Sequence, residues 1–368
     1  MKKLAIIHFA PLEYYPPAMN DILEAENASI NMHCRVYTST SINDWFKTKN
    51  IRIKRFDWQL IQGRIIRYVN YLQFNLGVFL SLLFYNPSHI LVYETLSLLP
   101  IFIISRLKRN TPIHIHYHEY TSRKEMVQGS VYFNLVHLLE KKLWKNKNVS
   151  ISHTNEDRKR LFLEDYRSIT EEKVKIFPNY PPKNWYELSK NLRDVKKNVI
   201  PTKLVHVGAL SQEATYLCEI VNWVISQNGV YEIDFYTSTI SQETKEYLKE
   251  VSLKYVFIRL FASVKYYDLP KILSSYNVGL VLYNGHIPNY IYNVPNKVLE
   301  YLSCSLQVWY SDRLISTRKF VQEESINDCF EVAFLKLTDN PPQKIHNKYN
   351  DKYFNGLQFE SKIKNVIK

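Results

Sequence analysis

The chain has 368 residues, which is too long for one typical domain and fits two. Hydrophobic residues make up 46% of it and charged residues 23%, and this composition excludes a disordered chain. The formal net charge of +13 predicts a positive field, which attracts nucleic acid, an anionic membrane surface or phosphorylated substrates.

The N-terminal half alternates apolar strands with helices. Strands are predicted at residues 4–9, 34–38, 51–56, 89–94, 113–117, 149–153 and 174–177. Helices are predicted near residue 20 and at 68–84, 96–107, 132–144 and 156–166. Continuous apolar strands separated by helices favour a parallel sheet covered on both faces. Residues 1–180 are therefore predicted to form a Rossmann-like α/β domain.

A polar, proline-rich and charged segment at 181–202 breaks this pattern and suits an interdomain linker. A second series follows at 203–345, with strands at 204–207, 232–236, 256–260, 279–283 and 306–309 and helices at 216–225, 243–253, 269–275 and 296–302. Two such Rossmann-like domains facing each other form a ligand-binding cleft at the carboxyl ends of their strands. The tail at 346–368 is predicted to contain a helix near 359–367.

The cysteine spacing and the apolar runs indicate the cellular compartment in which the protein is expected. No two cysteines form a Cys-x-x-Cys pair, which indicates free thiols in a reducing compartment rather than disulfides or a structural zinc site. The apolar run 4–10 has no small-residue cleavage site and is interpreted as a buried strand rather than a signal peptide. The apolar region 76–105 is broken at Asn86 and Glu94, so neither half reaches the roughly 20 residues that span a bilayer. No transmembrane segment is expected.

The stretch 294–302 predicts a helix start with a polar cluster. Asn293 is the expected N-cap and Pro295 fits the first turn, where its missing N–H costs nothing. One side of the helix is predicted to be a buried stripe of Val298, Leu299 and Leu302. The other side brings an amide, an ammonium and a carboxylate together near a helix N-terminus, which favours anions, at Asn296, Lys297 and Glu300. The alternative is three solvated residues on an ordinary surface helix.

The strand at 113–117 places His114, His116 and His118 on one face. Histidines at alternate positions can share a metal, and Glu119 is next in the chain. No partner cluster with ligand spacing is evident, so no metal site is predicted, and roleless histidines are expected at His114 and His116. His118, at the carboxyl end of the strand, is the one expected in the cleft.

The run 295–301 resembles the P-N-K-hydrophobic-hydrophobic-E-Y signature of retaining GT-B glycosyltransferases of the large family four. Residues 203–211 resemble the strand and turn that open the donor domain of that family, and 268–280 resemble the segment before its donor loop. The resemblance covers nearly the whole chain. It implies a GT-B architecture of two Rossmann-like domains facing across a cleft, with a last helix that returns to the N-terminal domain.

The resemblance also implies roles for individual residues. Glu300 would accept hydrogen bonds from the ribose hydroxyls of a nucleotide-sugar donor. His118 would lie beside the transferred sugar, with Glu119 contacting acceptor or donor hydroxyls, and these two are the expected catalytic residues. The alternative for His118 is a histidine that caps the next helix. The expected donor-binding residues are Gly208, Ser211, Asn296, Lys297 and Glu300.

The sequence departs from the family at two places. Many relatives carry a G-R-x-x-x-x-K pattern after the first donor-domain strand, but the turn at 208–215 has neither basic residue. Lys297 is therefore expected to carry the diphosphate, assisted by the hydroxyl of Ser211 or Thr215. The relatives' first glutamate, eight residues before the ribose-binding one, is replaced by Tyr292.

The loop at 10–18 stands where relatives have a glycine-rich loop. Its prolines and tyrosines suggest a stiff aromatic platform, with Glu13, Tyr14 and Tyr15 as acceptor-binding residues. A packed structural loop is the alternative.

The expected function is a retaining, metal-independent glycosyltransferase without a cofactor. It would move a sugar from a UDP- or GDP-sugar to a glycan or lipid-linked glycan for a bacterial capsule or lipopolysaccharide. The expected location is the cytoplasm, with peripheral contact at an anionic inner membrane. The main alternative is a catalytically inactive GT-B paralogue that acts as a scaffold. Specific nucleic-acid binding is not expected, because no recognised motif occurs, and the signature run argues against a GT-B sugar-nucleotide epimerase.

Overall fold

A computed structural model describes residues 2–27, 32–41, 44–57, 63–182, 184–192 and 201–337, with the side chains at 64, 127, 131 and 190–192 left out. The described residues fall into two compact units that divide between Asn179 and Tyr180. The predicted tail at 346–368, with its helix, lies outside the described residues.

The first unit is built on a parallel sheet of seven strands. They are β1 (Lys2–His8), β2 (Met32–Ser39), β3 (Arg52–Phe56), β4 (His89–Tyr93), β5 (Ile113–His116), β6 (Val149–His153) and β7 (Val174–Ile176). The spatial order is β3-β2-β1-β4-β5-β6-β7. The helices are α1 (Pro16–Asn27), α2 (Arg64–Tyr85), α3 (Leu99–Leu107), α4 (Arg123–Gln128), α5 (Val131–Trp144) and α6 (Glu156–Asp165). The short helix α4 was not predicted.

The pattern of buried residues explains why these strands form the centre of the first unit. All five residues of β4 are buried, as expected for a strand covered on both faces. The core cluster joins β4 and β5 to the inner sides of α2, α3, α5 and α6, so these helices share one hydrophobic layer. Tyr71, Val78 and Leu82 supply the inner stripe of α2.

The second unit contains a six-stranded parallel sheet in the order β10-β9-β8-β11-β12-β13. Its strands are β8 (Thr202–Val207), β9 (Tyr231–Tyr236), β10 (Ile258–Phe261), β11 (Val278–Val281), β12 (Gln307–Ser311) and β13 (Cys329–Val332). Its helices are α7 (Asn184–Leu192), α8 (Leu217–Ser226), α9 (Gln242–Lys254), α10 (Leu269–Leu273), α11 (Pro288–Ile291), α12 (Asn296–Ser303) and α13 (Ile315–Glu323). The parallel α/β fold predicted for both halves is confirmed.

Helix α7 corrects the predicted linker. The indole of Trp185 is fully buried and lies 4.7 Å from the Tyr266 ring, between ring centroids. The hydroxyl of Ser189 donates to the carbonyl of Ser303 at 3.3 Å. The first part of the predicted linker therefore belongs to the core of the second unit, and the prolines and charges around it hid a short amphipathic helix.

Both sheets have a topological switch point, where the chain leaves the first strand in opposite directions. It lies between β1 and β4 in the first unit and between β8 and β11 in the second. The ladder between β8 and β11 pairs Leu204 with Val278 and Val205 with Gly279. Open α/β sheets bind ligands in the crevice at the carboxyl ends of the strands at such a point.

Helix α12 approaches the sheet closely at this crevice because β11 carries a glycine. A Cβ atom on Gly279 would come within 2.2 Å of the Tyr301 ring. The Tyr301 hydroxyl accepts the Val207 N–H at 3.0 Å, at the carboxyl end of β8. The ring therefore fixes α12 to both strands that border the crevice.

We expect Gly279→Ala to destabilise the protein by about 1–3 kcal/mol, because the added methyl group forces the anchored ring and its helix to move. The same change in a Tyr301→Ala background should cost much less, since the ring is gone. Thermal unfolding of the four proteins measures this coupling. Equal losses in both backgrounds would contradict it.

Candidate functional site

Helix α12 begins at Asn296, as predicted, but its N-cap lies two residues later than predicted. Pro295 is its N-cap, with extended backbone angles (φ −61°, ψ 141°), and no side chain caps the helix. Asn293 as the N-cap is wrong, because its carbonyl instead accepts the Thr317 hydroxyl at 2.8 Å. The N–H groups of the first turn are thus left without a capping side chain, and an uncapped N-terminus favours an anion.

The predicted buried stripe is confirmed, since Val298, Leu299 and Leu302 are all buried. Lys297 is buried as well, with 8% of the residue exposed, whereas Asn296 and Glu300 are half-buried. A solvated surface lysine, which was the simpler interpretation, is therefore excluded for Lys297. Its ammonium group is enclosed by the second unit.

The Lys297 ammonium lies at the switch point between β8 and β11. Its Nζ is 4.8 Å from the centroid of the Tyr283 ring, just beyond the carboxyl end of β11. A Cβ atom on Gly208, the residue after β8, would lie 3.5 Å from it. Gly208 has φ +108°, a conformation that side chains rarely adopt. Among the described residues no hydrogen-bond acceptor reaches this Nζ.

The charges around Lys297 perturb one another. Burial lowers the pKa of Lys297 to about 8, and the Glu300 carboxylate opposes that shift. Burial raises the pKa of Glu300 to about 7, opposed by the Lys297 ammonium and by a hydrogen bond from Tyr266. Burial, followed by the Lys297 charge, lowers the pKa of His206 to about 3, so this imidazole is neutral at pH 7. A buried ammonium with no hydrogen-bond acceptor is costly and is well suited to an anionic ligand.

Ser211 and Thr215 shape the turn after Gly208. The Ser211 hydroxyl accepts the Ala214 N–H at 3.0 Å, and the Ser211 carbonyl accepts the Thr215 hydroxyl at 2.5 Å. The Thr215 hydroxyl therefore donates its hydrogen bond within the turn. This disfavours the alternative in which Thr215 helps to bind a diphosphate. The Ser211 hydroxyl still has a proton to donate.

In the first unit, rings gather at the carboxyl ends of β1, β4 and β5. We call them the aromatic cluster: His8, Tyr15, Tyr93, His116 and His118. His118 stacks on Tyr93 with 5.2 Å between ring centroids and an interplanar angle of 10°. Tyr15 lies 4.2 Å from His8 and 5.2 Å from His118, again between centroids. Burial lowers the pKa of His8 to about 4, so its ring is neutral at pH 7.

Glu94 is a candidate that the sequence analysis missed. It follows β4 with φ 63° and ψ 155°, a backbone conformation that is strained for any residue but glycine. Its carboxylate accepts the His118 N–H at 2.7 Å. Burial, and next the carboxylate of Glu119, raise the pKa of Glu94 to about 8. Strain and a perturbed carboxyl group at a switch point are both marks of functional sites, and the sequence signal was a lone glutamate ending an apolar strand.

The loop at 10–18 brings only one of its three predicted acceptor residues to the aromatic cluster. Tyr15 lies there, whereas Tyr14 is 51% exposed. The Glu13 carboxylate binds the Arg55 guanidinium at 2.8 Å and the Phe46 N–H at 3.1 Å. Glu13, in the tight turn at Leu12–Tyr14, thus has structural contacts, and its acceptor role stays a prediction.

The two histidines of β5 share a partner. His114 and His116 both contact the Ser152 hydroxyl at 2.7 Å, so they do share one face as predicted. Within the described ranges, no three His, Cys, Asp or Glu side chains are grouped as metal ligands would be. His118 does not cap the next helix, because Ser122 caps α4 in a reciprocal arrangement with Glu125. Glu119 is exposed beside the cluster.

We expect Glu94→Gln to stabilise the protein in a pH-dependent way. The Glu94 pKa is higher in the folded than in the unfolded protein, so ionisation destabilises the fold as pH rises from about 4.5 to about 8. The variant should match the wild type near pH 4 and exceed it by a few kcal/mol above pH 8. Unfolding measured at a series of pH values tests this, and a pH-independent difference would contradict it.

Solved structures with similar architecture cover nearly the whole chain. Sucrose-phosphate synthase from Thermosynechococcus elongatus matches with a TM-score of 0.63 at 14% identity, over 100% of this chain and 91% of the other. HepE from Anabaena, in complex with UDP and glucose, matches with a TM-score of 0.60 at 13% identity, over 90% and 86%. UDP-GlcNAc 2-epimerase from Methanocaldococcus jannaschii matches with a TM-score of 0.59 at 14% identity, over 99% of each chain.

No protein-family model matches the sequence, and no curated protein matches it either. Identities this low establish a fold and not a reaction, since synthases and an epimerase share the architecture. The predicted fold class is confirmed: the chain has the GT-B fold.

Proposed function

We propose that this protein is a glycosyltransferase that takes its sugar from a UDP- or GDP-sugar. The observation that carries the proposal is the buried Lys297 ammonium, which lies without a hydrogen-bond acceptor among the described residues at the switch point of the second unit. A nucleoside diphosphate supplies the anion that this position favours. The complex of HepE with UDP and glucose supports a nucleotide sugar as the ligand of this fold.

The proposed donor site assigns one task to each polar group. Lys297 and the uncapped N–H groups of α12 bind the diphosphate, and the Ser211 hydroxyl assists. Glu300 accepts hydrogen bonds from the ribose hydroxyls, with Asn296 beside it. Gly208 leaves room for the diphosphate next to the ammonium. As the bond from the anomeric carbon to the diphosphate breaks, negative charge grows on the leaving oxygen, and this preformed positive site stabilises it without a metal.

The proposed catalytic residues are His118 and Glu119, and Glu94 joins them. A neutral imidazole can hydrogen-bond a hydroxyl of the transferred sugar without burying a charge. The acceptor hydroxyl forms the new bond to the anomeric carbon, and its proton leaves with the diphosphate. Tyr15 offers the acceptor a ring face beside His118. The reaction is proposed to retain the anomeric configuration.

The acceptor is proposed to be a glycan or lipid-linked glycan in bacterial capsule or lipopolysaccharide synthesis. The net charge of +13 supports work at the inner face of an anionic membrane, from the cytoplasm. No cofactor is required.

The second candidate is an inactive GT-B paralogue that acts as a scaffold. The turn at 208–215 lacks both basic residues of the family pattern, and Tyr292 replaces a glutamate, which favours this reading. Lys297 weighs against it, because a buried charge is expensive to keep without a ligand.

Nucleotide binding tests the proposal. We expect UDP or GDP to raise the thermal unfolding temperature, since a ligand at about 100 times its dissociation constant stabilises a fold by about 2.7 kcal/mol. ADP and CDP should shift it less. Lys297→Ala should abolish the shift, and Glu300→Ala should weaken it. Lys271→Ala, which removes an exposed lysine of α10, is the matched control and should leave the shift unchanged.

Each other result has a definite meaning. No shift with any nucleotide would favour the inactive paralogue. A shift that survives in Lys297→Ala would remove Lys297 from the diphosphate site. Conversion of a UDP-sugar to its epimer, without transfer to an acceptor, would replace the transferase by an epimerase.

Nucleotide affinity should depend on pH with a maximum between about 7 and 8. The ammonium form of Lys297 binds the diphosphate and is lost as pH rises through about 8. The carboxylate form of Glu300 binds the ribose hydroxyls and is lost as pH falls through about 7. Titration calorimetry with UDP or GDP across this range measures both limbs, whose apparent pKa values belong to the interacting pair.

Two variants separate the limbs of this profile. Lys297→Arg keeps its charge at all accessible pH values and should lose the alkaline limb. In Glu300→Gln, nucleotide affinity should fall less as pH decreases. The fall that remains should be the part caused by protonation of the nucleotide's own phosphate. An unchanged profile in both variants would exclude this pair as its source.

A further inference from the structure

The outer face of α2 exposes an unusual row of large apolar side chains. The helix has 22 residues, which makes it about 33 Å long. We call its exposed apolar side chains the α2 ridge: Ile65, Ile66, Tyr68, Val69, Leu72, Leu76, Leu80 and Phe84. Among the described side chains of α2, the exposed polar ones are Arg67 and Gln73. An outward face of this composition on a helix that already buries its other side marks a binding surface.

The ridge continues onto the neighbouring helices. α3 packs beside α2 and α5 beside α3, and all three share the hydrophobic layer under the sheet. α3 exposes Ile103 and Leu107, and α5 exposes Leu135 and Leu138. The apolar surface is therefore broad rather than a single stripe. Single exposed apolar residues are ordinary, but so many on three neighbouring helices are not.

The charged residues of α2 and α3 are all basic. The sequence contains no acidic residue between Asp57 and Glu94, or between Glu94 and Glu119, so α2 and α3 carry none. Arg106 and Lys142 are exposed on α3 and α5, and Lys108 donates to the Asn86 side chain at the end of α2. An apolar ridge on helices whose own charges are all basic complements an anionic lipid surface.

The ridge is suited to lie on a bilayer rather than to cross it. No helix among the described residues combines the length and apolar character that a membrane span needs. The inner side of α2, with Tyr71 and Phe74, is committed to the core. Only the outer half of the helix is available, which is the arrangement of an interfacial helix.

We propose that the α2 ridge docks the protein on an anionic lipid bilayer. The purpose of this contact rests on the proposed function. In that function, the ridge is the surface by which the transferase reaches a lipid-linked acceptor. The ridge is close to the proposed acceptor residues. Phe9, next to His8 of the aromatic cluster, packs its ring 4.9 Å from Tyr71 and 5.0 Å from Phe74. Docking therefore places the membrane about one helix diameter, roughly 10 Å, beyond the inner rings of α2 that contact Phe9.

Vesicle flotation tests the surface. The full-length protein should float with vesicles of phosphatidylcholine and phosphatidylglycerol, and float less with phosphatidylcholine alone or at high salt. Leu72→Gln/Leu76→Gln removes two ridge side chains that are 61% and 58% exposed, and should weaken binding about tenfold or more. The matched control is Leu253→Gln/Val256→Gln in the second unit, where the side chains are 86% and 83% exposed. It should float as the wild type does.

Three outcomes would overturn the proposal. The first is a wild type that does not float, as expected if another part of the chain covers the ridge. The second is equal flotation of the ridge variant and the control. The third is a wild type that is dimeric without vesicles and becomes monomeric in the ridge variant, which would make the ridge a subunit interface. The nucleotide-induced thermal shift, measured on the same preparations, should be unchanged in both variants, so a loss of lipid binding is distinguished from a failure of the proposed transferase function.

Discussion

Burial of the Lys297 ammonium is the constraint on which the second unit depends. Taking an ammonium group out of water costs several kcal/mol, and the Glu300 carboxylate offsets only part of that cost. Neighbouring residues nevertheless hold the ammonium group in this buried position. Gly208 leaves the space beside Nζ open, and Gly279 lets α12 approach until Tyr301 reaches the end of β8. The helix that supplies the charge is thus fixed to both strands of the crevice, and an anion that enters the crevice can supply the hydrogen-bond acceptor that Nζ lacks among the described residues.

The two switch points have the same topology but different electrostatics, one positive and the other neutral. In the second unit an ammonium and an uncapped helix N-terminus make a positive crevice. In the first unit burial keeps His8 neutral, and it raises the pKa of Glu94 to about 8, so that carboxyl group is protonated at pH 7. A neutral, ring-lined crevice suits sugar hydroxyls and C–H faces, whereas a positive one suits a diphosphate. This division supports the proposed function, in which the second unit binds the donor and the first unit binds the acceptor.

The strands and long helices could be predicted because their apolar runs have the right period, and so could the buried stripe of α12. The sequence could not show that Lys297 is buried, because its enclosure depends on Gly208 and Tyr283, which are distant in the chain. Helix α7 was mistaken for linker because prolines and charged residues flank the short run that contains Trp185. Asn293 was the better cap by propensity, but Pro295 occupies that position and Asn293 is held by Thr317. The sequence did not identify Glu94, because a strained backbone conformation cannot be deduced from the amino-acid type at that position.

The first unit combines a basic, apolar outer layer with a neutral inner crevice, and α2 belongs to both. Its inner rings support Phe9 at the end of β1, and its outer side chains form the ridge. An excess of positive charge keeps such a protein from associating with itself while attracting it to anionic surfaces. Exposed leucines that would otherwise promote aggregation can therefore persist. The proposed lipid-linked acceptor has an apolar anchor and a glycan, and these two parts need different surfaces. The two sides of α2 offer such a pairing to the proposed function.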